Sequence, residues 1–332
     1  LVAGCGKKPV DPVPAKPRVA PTMPAPAPEP VRELLWPLTA IPGPIVERPA
    51  LAVKIENSPQ ARPQAGLNQA DVVWEEVVEG GISRFVAVFH SQLPESVGPI
   101  RSVRPMDGPI AGPTGGLLVF SGGQSRFISI ATEAGLQVLG HDQGADGFFR
   151  DPGRRGEHSL MGRPDEFLAQ ANAEHQAPPE PEFQFAPSAE EATAVVVGSA
   201  GMTVDIRLSG WSNPGWDWDE ALGAWLRREG SDQATVEGGQ QIMTTNLVAL
   251  KVEVRMAGGT DAAGSQIPES IMVGSGLALV ACEGKTMDAT WSKESVTAPV
   301  VLTSPDGQPI LLSPGNTWVE LVPVGDGSWT VS

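Results

Sequence analysis

Asp71-Val-Val-Trp-Glu-Glu-Val-Val78, then Glu79-Gly-Gly-Ile-Ser83, then Arg84-Phe-Val-Ala-Val-Phe89 is the stretch on which the fold turns. Two apolar runs rich in β-branched and aromatic residues, separated by Gly-Gly, read as strands joined by a turn. Upstream, Leu51-Ala-Val-Lys-Ile55 reads as another strand. Downstream, Gln124 to Ala134 and Pro164 to Ala173 carry helix signals. This alternation defines a mixed α/β domain. Past Ala177-Pro-Pro-Glu-Pro181 the pattern changes to alternating residues and Gly-rich turns. Gly215-Trp-Asp-Trp-Asp219 and Ala224-Trp-Leu-Arg227 read as a hairpin, with further strands in Leu247 to Val254, Gly276 to Cys282, Met287 to Ser292, Pro299 to Thr303 and Thr317 to Val322. Trp216 and Trp218 alternate along their strand and are assigned to the core rather than to a carbohydrate platform. The fold class is α+β. Its expected organisation is a signal remnant and Pro-rich tether over 1–46, a mixed α/β N-terminal domain over 47–176, a linker over 177–190 and a mostly-β C-terminal domain over 191–332.

At the N-terminus, Leu1-Val-Ala-Gly-Cys5 reads as the end of a bacterial lipoprotein signal, which makes Cys5 a lipidation site and the membrane a partner. The sequence is expected to begin inside the apolar part of that signal. Thirteen of the 33 prolines fall between Gly6 and Ala50. Missing amide donors and the absence of an apolar period predict a disordered tether with polyproline II bias. The segment to Glu33 carries five basic and three acidic residues, so the remainder carries about −18 of the total −16. Such a surface repels nucleic acid at long range and excludes it as a partner. With Cys5 lipidated, Cys282 has no partner for a disulfide; its apolar strand context reads as structural. After the signal, no stretch approaches the ~20 apolar residues that span a bilayer.

Residues suited to chemistry concentrate in the first domain. Arg62, Arg84, Arg101 and Arg104 stand beside glycines and prolines, unlike the alternating Lys and Glu of a solvated helix face. Guanidinium offers a planar fork of donors for carboxylate or phosphate. Leu117-Leu-Val-Phe120 enters Ser121-Gly122-Gly123-Gln124 and a helix, a strand-turn-helix arrangement that can aim amides at an anion. Together these predict an anion pocket. The alternative is structural: Glu79 pairs with Arg84 across the turn, while Arg101 and Arg104 satisfy Glu75, Glu76 or buried carbonyls. On a continuous strand, Glu75 and Glu79 share a face opposite Glu76. His158, near Arg150, Asp151 and Arg155 in sequence, is the candidate for proton transfer. The four histidines lack metal-ligand spacing, and no cofactor motif is present.

The runs Ala61-Arg-Pro-Gln-Ala-Gly66-Leu67, Gln69-Ala-Asp71-Val-Val-Trp74-Glu75, Val78-Glu-Gly-Gly81-Ile-Ser-Arg84-Phe85 and Gly98-Pro-Ile-Arg101-Ser-Val-Arg104 resemble the YerB-like bacterial lipoproteins. The similarity continues through Phe148-Phe-Arg150-Asp151, Arg155-Gly-Glu-His158-Ser-Leu160, Thr245-Asn-Leu-Val248 and Gly315-Asn-Thr-Trp318. The resemblance implies two modules and an anchored envelope location, without a reaction. It also implies tyrosine at the position of Trp74 and asparagine at that of Ser159, two departures in this chain. The expected function is a lipid-anchored extracytoplasmic protein binding an anionic envelope ligand through the arginines. One alternative is an envelope enzyme acting on a phosphoryl or glycosyl bond, with Glu79 as base and arginines stabilising charge. The other is a structural lipoprotein or one that binds an envelope protein.

Overall fold

The computed structural model describes residues 2–7, 34–261 and 263–332. Residues 2–7 have no regular secondary structure, and Cys5 is exposed. The tether expected before Leu34 falls mostly on 8–33, outside the described residues. Residues 34–46 were expected to continue it, yet Trp36 and Leu38 are buried, and Trp36 stands edge-on to His90 at 5.1 Å. Two apolar side chains set among prolines are enough to bring this end of the segment onto the core.

From Leu34 to Ser332 the chain forms one compact unit. Its spine is an 11-stranded sheet to which both halves of the sequence contribute. The strands Gln137–Gly140, Leu117–Phe120, Leu51–Glu56, Ser83–Phe89 and Val72–Val77 lie side by side in that order. Beyond them follow Thr317–Pro323, Asn246–Val252, Gly274–Cys282, Lys285–Lys293 and Val301–Thr303. The two halves meet where Val72–Val77 pairs in parallel with Thr317–Pro323, placing Glu75 opposite Glu320. The α+β class holds, with helices such as Ser125–Glu133 beside the N-terminal strands and a strand-rich C-terminal half. The 177–190 segment, expected as a linker, contributes Phe183 and Ala186 to the core; Phe183 stacks on Trp74 at 6.2 Å. The Trp74 indole thus makes an apolar contact.

Alternation along each strand gives the sheet two buried faces. Ala52, Trp74, Val86, Leu118 and Phe120 lie on one face with the helix Ser125–Glu133 and the 177–190 segment, while Leu51, Val53, Val73, Phe85 and Phe89 lie on the other with Phe167 and a second sheet. That sheet is built around Thr203–Arg207, Pro214–Asp219 and Ala224–Glu229. Its central hairpin forms as expected, Trp216 is fully buried, and Trp218 packs partly buried beside Trp225. Cys282 lies buried in its strand, where desolvation, then the charge of Glu283, pushes its thiol up to about 12. It is a core thiol, inert at neutral pH.

Between the sheets lies Arg227, fully buried. Its Nη1 is 2.8 Å from Glu75 Oε2 and 3.0 Å from Glu320 Oε1, and Nη2 donates to Glu229 Oε1 at 2.8 Å. Rings of Trp318, Trp216 and Phe85 surround the guanidinium at 4.9, 5.4 and 5.5 Å. Desolvation works against the cation, but the three carboxylates more than offset it and hold Arg227 above its ordinary value. Burial, then the charge of Glu75, raises Glu320 well above its ordinary value. The Trp216 indole donates to Glu320 Oε1 at 2.9 Å.

Replacing Arg227 by methionine leaves buried carboxylates without their cation and is expected to cost about 3–5 kcal/mol in urea unfolding. Glu320→Gln keeps an oxygen to accept from the Trp216 indole and leaves Glu75 and Glu229 on Arg227, and is expected to cost less. Equal losses in the two variants would contradict the central place given to the guanidinium.

Candidate functional site

Arg84, Arg101 and Arg104 gather at the C-terminal end of the Leu51–Glu56 strand, where Arg84 is in register with both Glu56 and Glu76. The structure sorts them into ion pairs. Arg104 grips Glu79 at two points, Nε to Oε1 at 2.5 Å and Nη2 to Oε2 at 2.7 Å, and its Nη1 donates to Val103 O at 3.0 Å. Arg84 donates to Ser102 O at 3.1 Å and lies 4.0 Å from Glu79. Desolvation, then the adjacent Arg104, lowers Arg84 to about 10, still charged at neutral pH. Glu79, Arg84 and Arg104 are all buried.

A second group surrounds Glu56. Both of its oxygens are 3.0 Å from His158 Nδ1, Ser58 Oγ donates to it at 2.8 Å, and Arg101 Nε lies 3.6 Å away. Arg101 also reaches the exposed Glu157 at 3.2 Å. Beneath both groups, Lys54 bonds Glu76 and, at 2.7 Å, Asp107, whose other oxygen accepts Arg104 N–H at 2.6 Å. Burial, then the Asp107 charge, pushes Glu76 up to about 8.

The structure therefore joins Glu79, Arg84 and Arg104 in one cluster, and Arg101 with His158 through Glu56 in another. Arg62 lies apart, donating to Asn57 Oδ1 at 3.1 Å and pairing with Glu229 at 3.1 Å. Arg150 is exposed and braces the His158 loop through Gly156 O at 2.9 Å and Ser159 Oγ at 3.2 Å. At Gly122 a Cβ would collide with the carboxylate of Asp142, and at Gly123 with Val103. Those glycines permit close packing, and the group already seated at Gly122 is itself an anion. Glu75 and Glu79 do not share a face, because the strand ends at Val77 and the Glu79–Gly81 turn, with Gly80 at φ 71°, redirects Glu79 toward Arg104. Among the described residues, no group of three or more His, Cys, Asp or Glu side chains converges as a metal site.

Open space lies next to the Glu56 group. A cavity of about 600 Å³ is lined by Arg62, Asp151, Arg154, Arg155, His158 and Glu237, among others. Arg154 is held by Asp151 at 3.3 Å, Glu237 at 2.7 Å and Ala61 O at 2.7 Å. Arg155 is exposed and makes no ion pair among the described residues. Sequence reasoning missed Glu56 and Arg154 here; the Gly153-Arg-Arg-Gly156 run, two cations between glycines before His158, carried the signal.

A family of unknown function, DUF3048, matches the chain through its N-terminal domain over residues 38–177 and its C-terminal domain over residues 204–319. The chain belongs to the DUF3048 family. It is similar to the protein named "Putative lipoprotein YerB" of Bacillus subtilis (strain 168), with 48% identity over 79 residues. That match spans 23% of this chain and about a quarter, 24%, of the relative. The crystal structure of YerB from Bacillus subtilis superposes with a TM-score of 0.75 at 23% identity, covering 90% of this chain and all of that one. The DUF3048 fold is thus shared across nearly the whole described chain, and the family resemblance read from the motifs is borne out.

The raised carboxyls give the pH dependence a sign. Glu76, raised to about 8, and Glu182, raised to about 7 chiefly by burial, bind protons more tightly folded than unfolded. Their stabilisation is complete below the unfolded carboxylate range and is lost as pH rises through the folded values. His90, lowered to about 4 by desolvation and then Arg48, has the opposite effect, confined below its unfolded value of 6.5. Between pH 6.5 and 7.5, unfolding free energy is expected to fall, with about 1 kcal/mol of the loss due to Glu76. Urea titrations of Glu76→Gln should show a flatter profile; an unchanged slope would remove Glu76 as its source.

Proposed function

We propose that this DUF3048 protein is held at the outer face of a bacterial membrane by lipid on Cys5 and binds an anionic envelope ligand in the cavity beside His158. The exposed Arg155 carries this reading, because it is the guanidinium on the cavity wall with no carboxylate partner among the described residues. A fork of donors without a partner beside an imidazole suits carboxylate or phosphate. His158 has Nδ1 on Glu56, which leaves Nε2 for a ligand. Arg62 supplies a further cation at the rim. Arg104 supports the scaffold instead, its fork taken by Glu79 and Val103 O; Arg84 and Arg101 stand against Ser102 O, Glu79, Glu56 and Glu157, each with Nε buried and without a hydrogen-bond partner among the described residues. Binding is favoured over catalysis by Glu79, because Arg104 engages both of its oxygens. The lipoprotein name of the Bacillus relative and the small-residue run before Cys5 support the anchor.

Thermal-shift titration with inorganic phosphate, nucleotide-sugars and muropeptides tests the cavity. Arg155→Ala is expected to weaken the bound anion by about 1.5–3 kcal/mol. Arg101→Ala is expected to lower the melting temperature while leaving the ligand-induced shift in place. Ligand shifts unaffected by Arg155→Ala would reject the site. In cells, Cys5→Ala is expected to move the protein from the membrane pellet to the soluble fraction, and retention in the pellet would reject the anchor.

A further inference from the structure

Of the nine tryptophans, Trp211 is the most exposed among the described residues, at 82%. It does not sit on a loose loop. Ser209 Oγ bonds Gly81 O and accepts the amides of Trp211 and Ser212, each at 2.9 Å. Leu208 N donates to Ser212 O at 3.0 Å, and Ser212 Oγ bonds Ser83 Oγ at 3.1 Å. The turn is thereby tied to the Glu79-Gly-Gly-Ile-Ser83 motif of the first half. Gly81, at φ 76°, has no Cβ to fill the space against Ser209 and the Trp211 ring edge. An indole held rigidly in water forgoes the apolar burial it could gain elsewhere.

Trp211 forms one wall of a cavity of about 280 Å³. Arg62, Asn57, Asn213 and Glu229 also line it. Asn57 is spent on internal bonds, donating to Ser83 Oγ at 2.9 Å and Glu229 at 3.1 Å and accepting from Arg62. Asn213 is exposed and its side-chain amide has no partner among the described residues, and Glu229 and Arg62 form a partly exposed pair. The cavity therefore combines one flat aromatic face with an amide, a carboxylate and a guanidinium at its edge. A pyranose ring has the matching chemistry: an apolar face of C–H groups attracted to the electron-rich indole, and hydroxyls around the perimeter for polar groups.

We propose that the Trp211 cavity is a sugar subsite in which a pyranose stacks on the indole and hydrogen-bonds Asn213, Glu229 and Arg62. Arg62 also lines the larger cavity beside His158. The two cavities thus share a wall residue, and, resting on the anion reading above, the ligand class becomes an oligosaccharide that carries an acid group.

The test uses the full 332-residue chain and calorimetric titration. The probes are neutral oligosaccharides of glucose, galactose, mannose and N-acetylglucosamine, and the N-acetylglucosaminyl-N-acetylmuramic acid disaccharide with its carboxamide. At least one neutral sugar is expected to bind at millimolar concentration. Trp211→Ala should weaken it at least about tenfold, equivalent to ~1.4 kcal/mol, Trp211→Phe should retain most of the affinity, and Arg155→Ala should leave it unchanged. Because Trp211 is exposed, melting temperatures should match the wild type. The acidic disaccharide should bind more tightly than its carboxamide, with that advantage lost in Arg155→Ala. Binding to none of the neutral sugars, or binding indifferent to Trp211→Ala, overturns the subsite. Neutral binding that needs Trp211, with no carboxylate advantage, leaves the subsite standing and overturns the anion reading alone.

Discussion

A single buried cation organises the molecule. Arg227 reaches from the smaller sheet to Glu75 and Glu320, which face each other on the parallel strands where the two sequence halves join. Two carboxyl groups side by side between sheets would repel and lack solvation. The guanidinium, set among three aromatic rings and within reach of both carboxyl groups, eases that conflict. Once this group is satisfied, the Val72–Val77 and Thr317–Pro323 strands can pair, and the smaller sheet is fixed against the spine. A buried ion network of this kind adds little net stability over an apolar core but penalises every register that leaves a member unpaired.

The same logic governs the other face. Lys54, Glu76 and Asp107 form a buried cluster below Arg104 and Glu79, and Glu56 gathers Arg101 and His158 at the strand end. The scaffold spends most of its motif arginines on its own carboxylates. What stays without internal ion pairs or burial is at the edge, Arg155 in one cavity and Trp211 in the next.

Much of the fold was legible in local pattern. Strands such as Leu51–Glu56 and Ser83–Phe89 announce themselves by apolar runs, and the Pro214–Asp219/Ala224–Glu229 hairpin by alternation around Gly223. Trp216, Trp218 and Cys282 were placed correctly in or against the core for the same reason. Pairing between Val72–Val77 and Thr317–Pro323 was not legible, because residues about 245 positions apart leave no local periodic trace. At the site, the residue types were recognisable, as were Glu79 beside Arg84 and the carbonyls that accept from the arginines, but the Arg104 grip on Glu79 and the group around Glu56 were not. Arg84, Arg101 and Arg104 looked like an anion pocket because Glu56 and Glu79 approach them only through strand register and the turn at Gly80. Trp211, with serines and a glycine around it, carries no strand or helix period and shows its exposure only once the turn is built.

Native-state hydrogen exchange of residues 34–332, followed amide by amide in the strands Leu51–Glu56 and Asn246–Val252, tests most directly whether the Arg227 junction makes one unit of the two halves. The account predicts the same opening free energy for the most protected amides of both strands. A distinctly lower opening energy in one strand, showing that its half unfolds while the other stays intact, would contradict it.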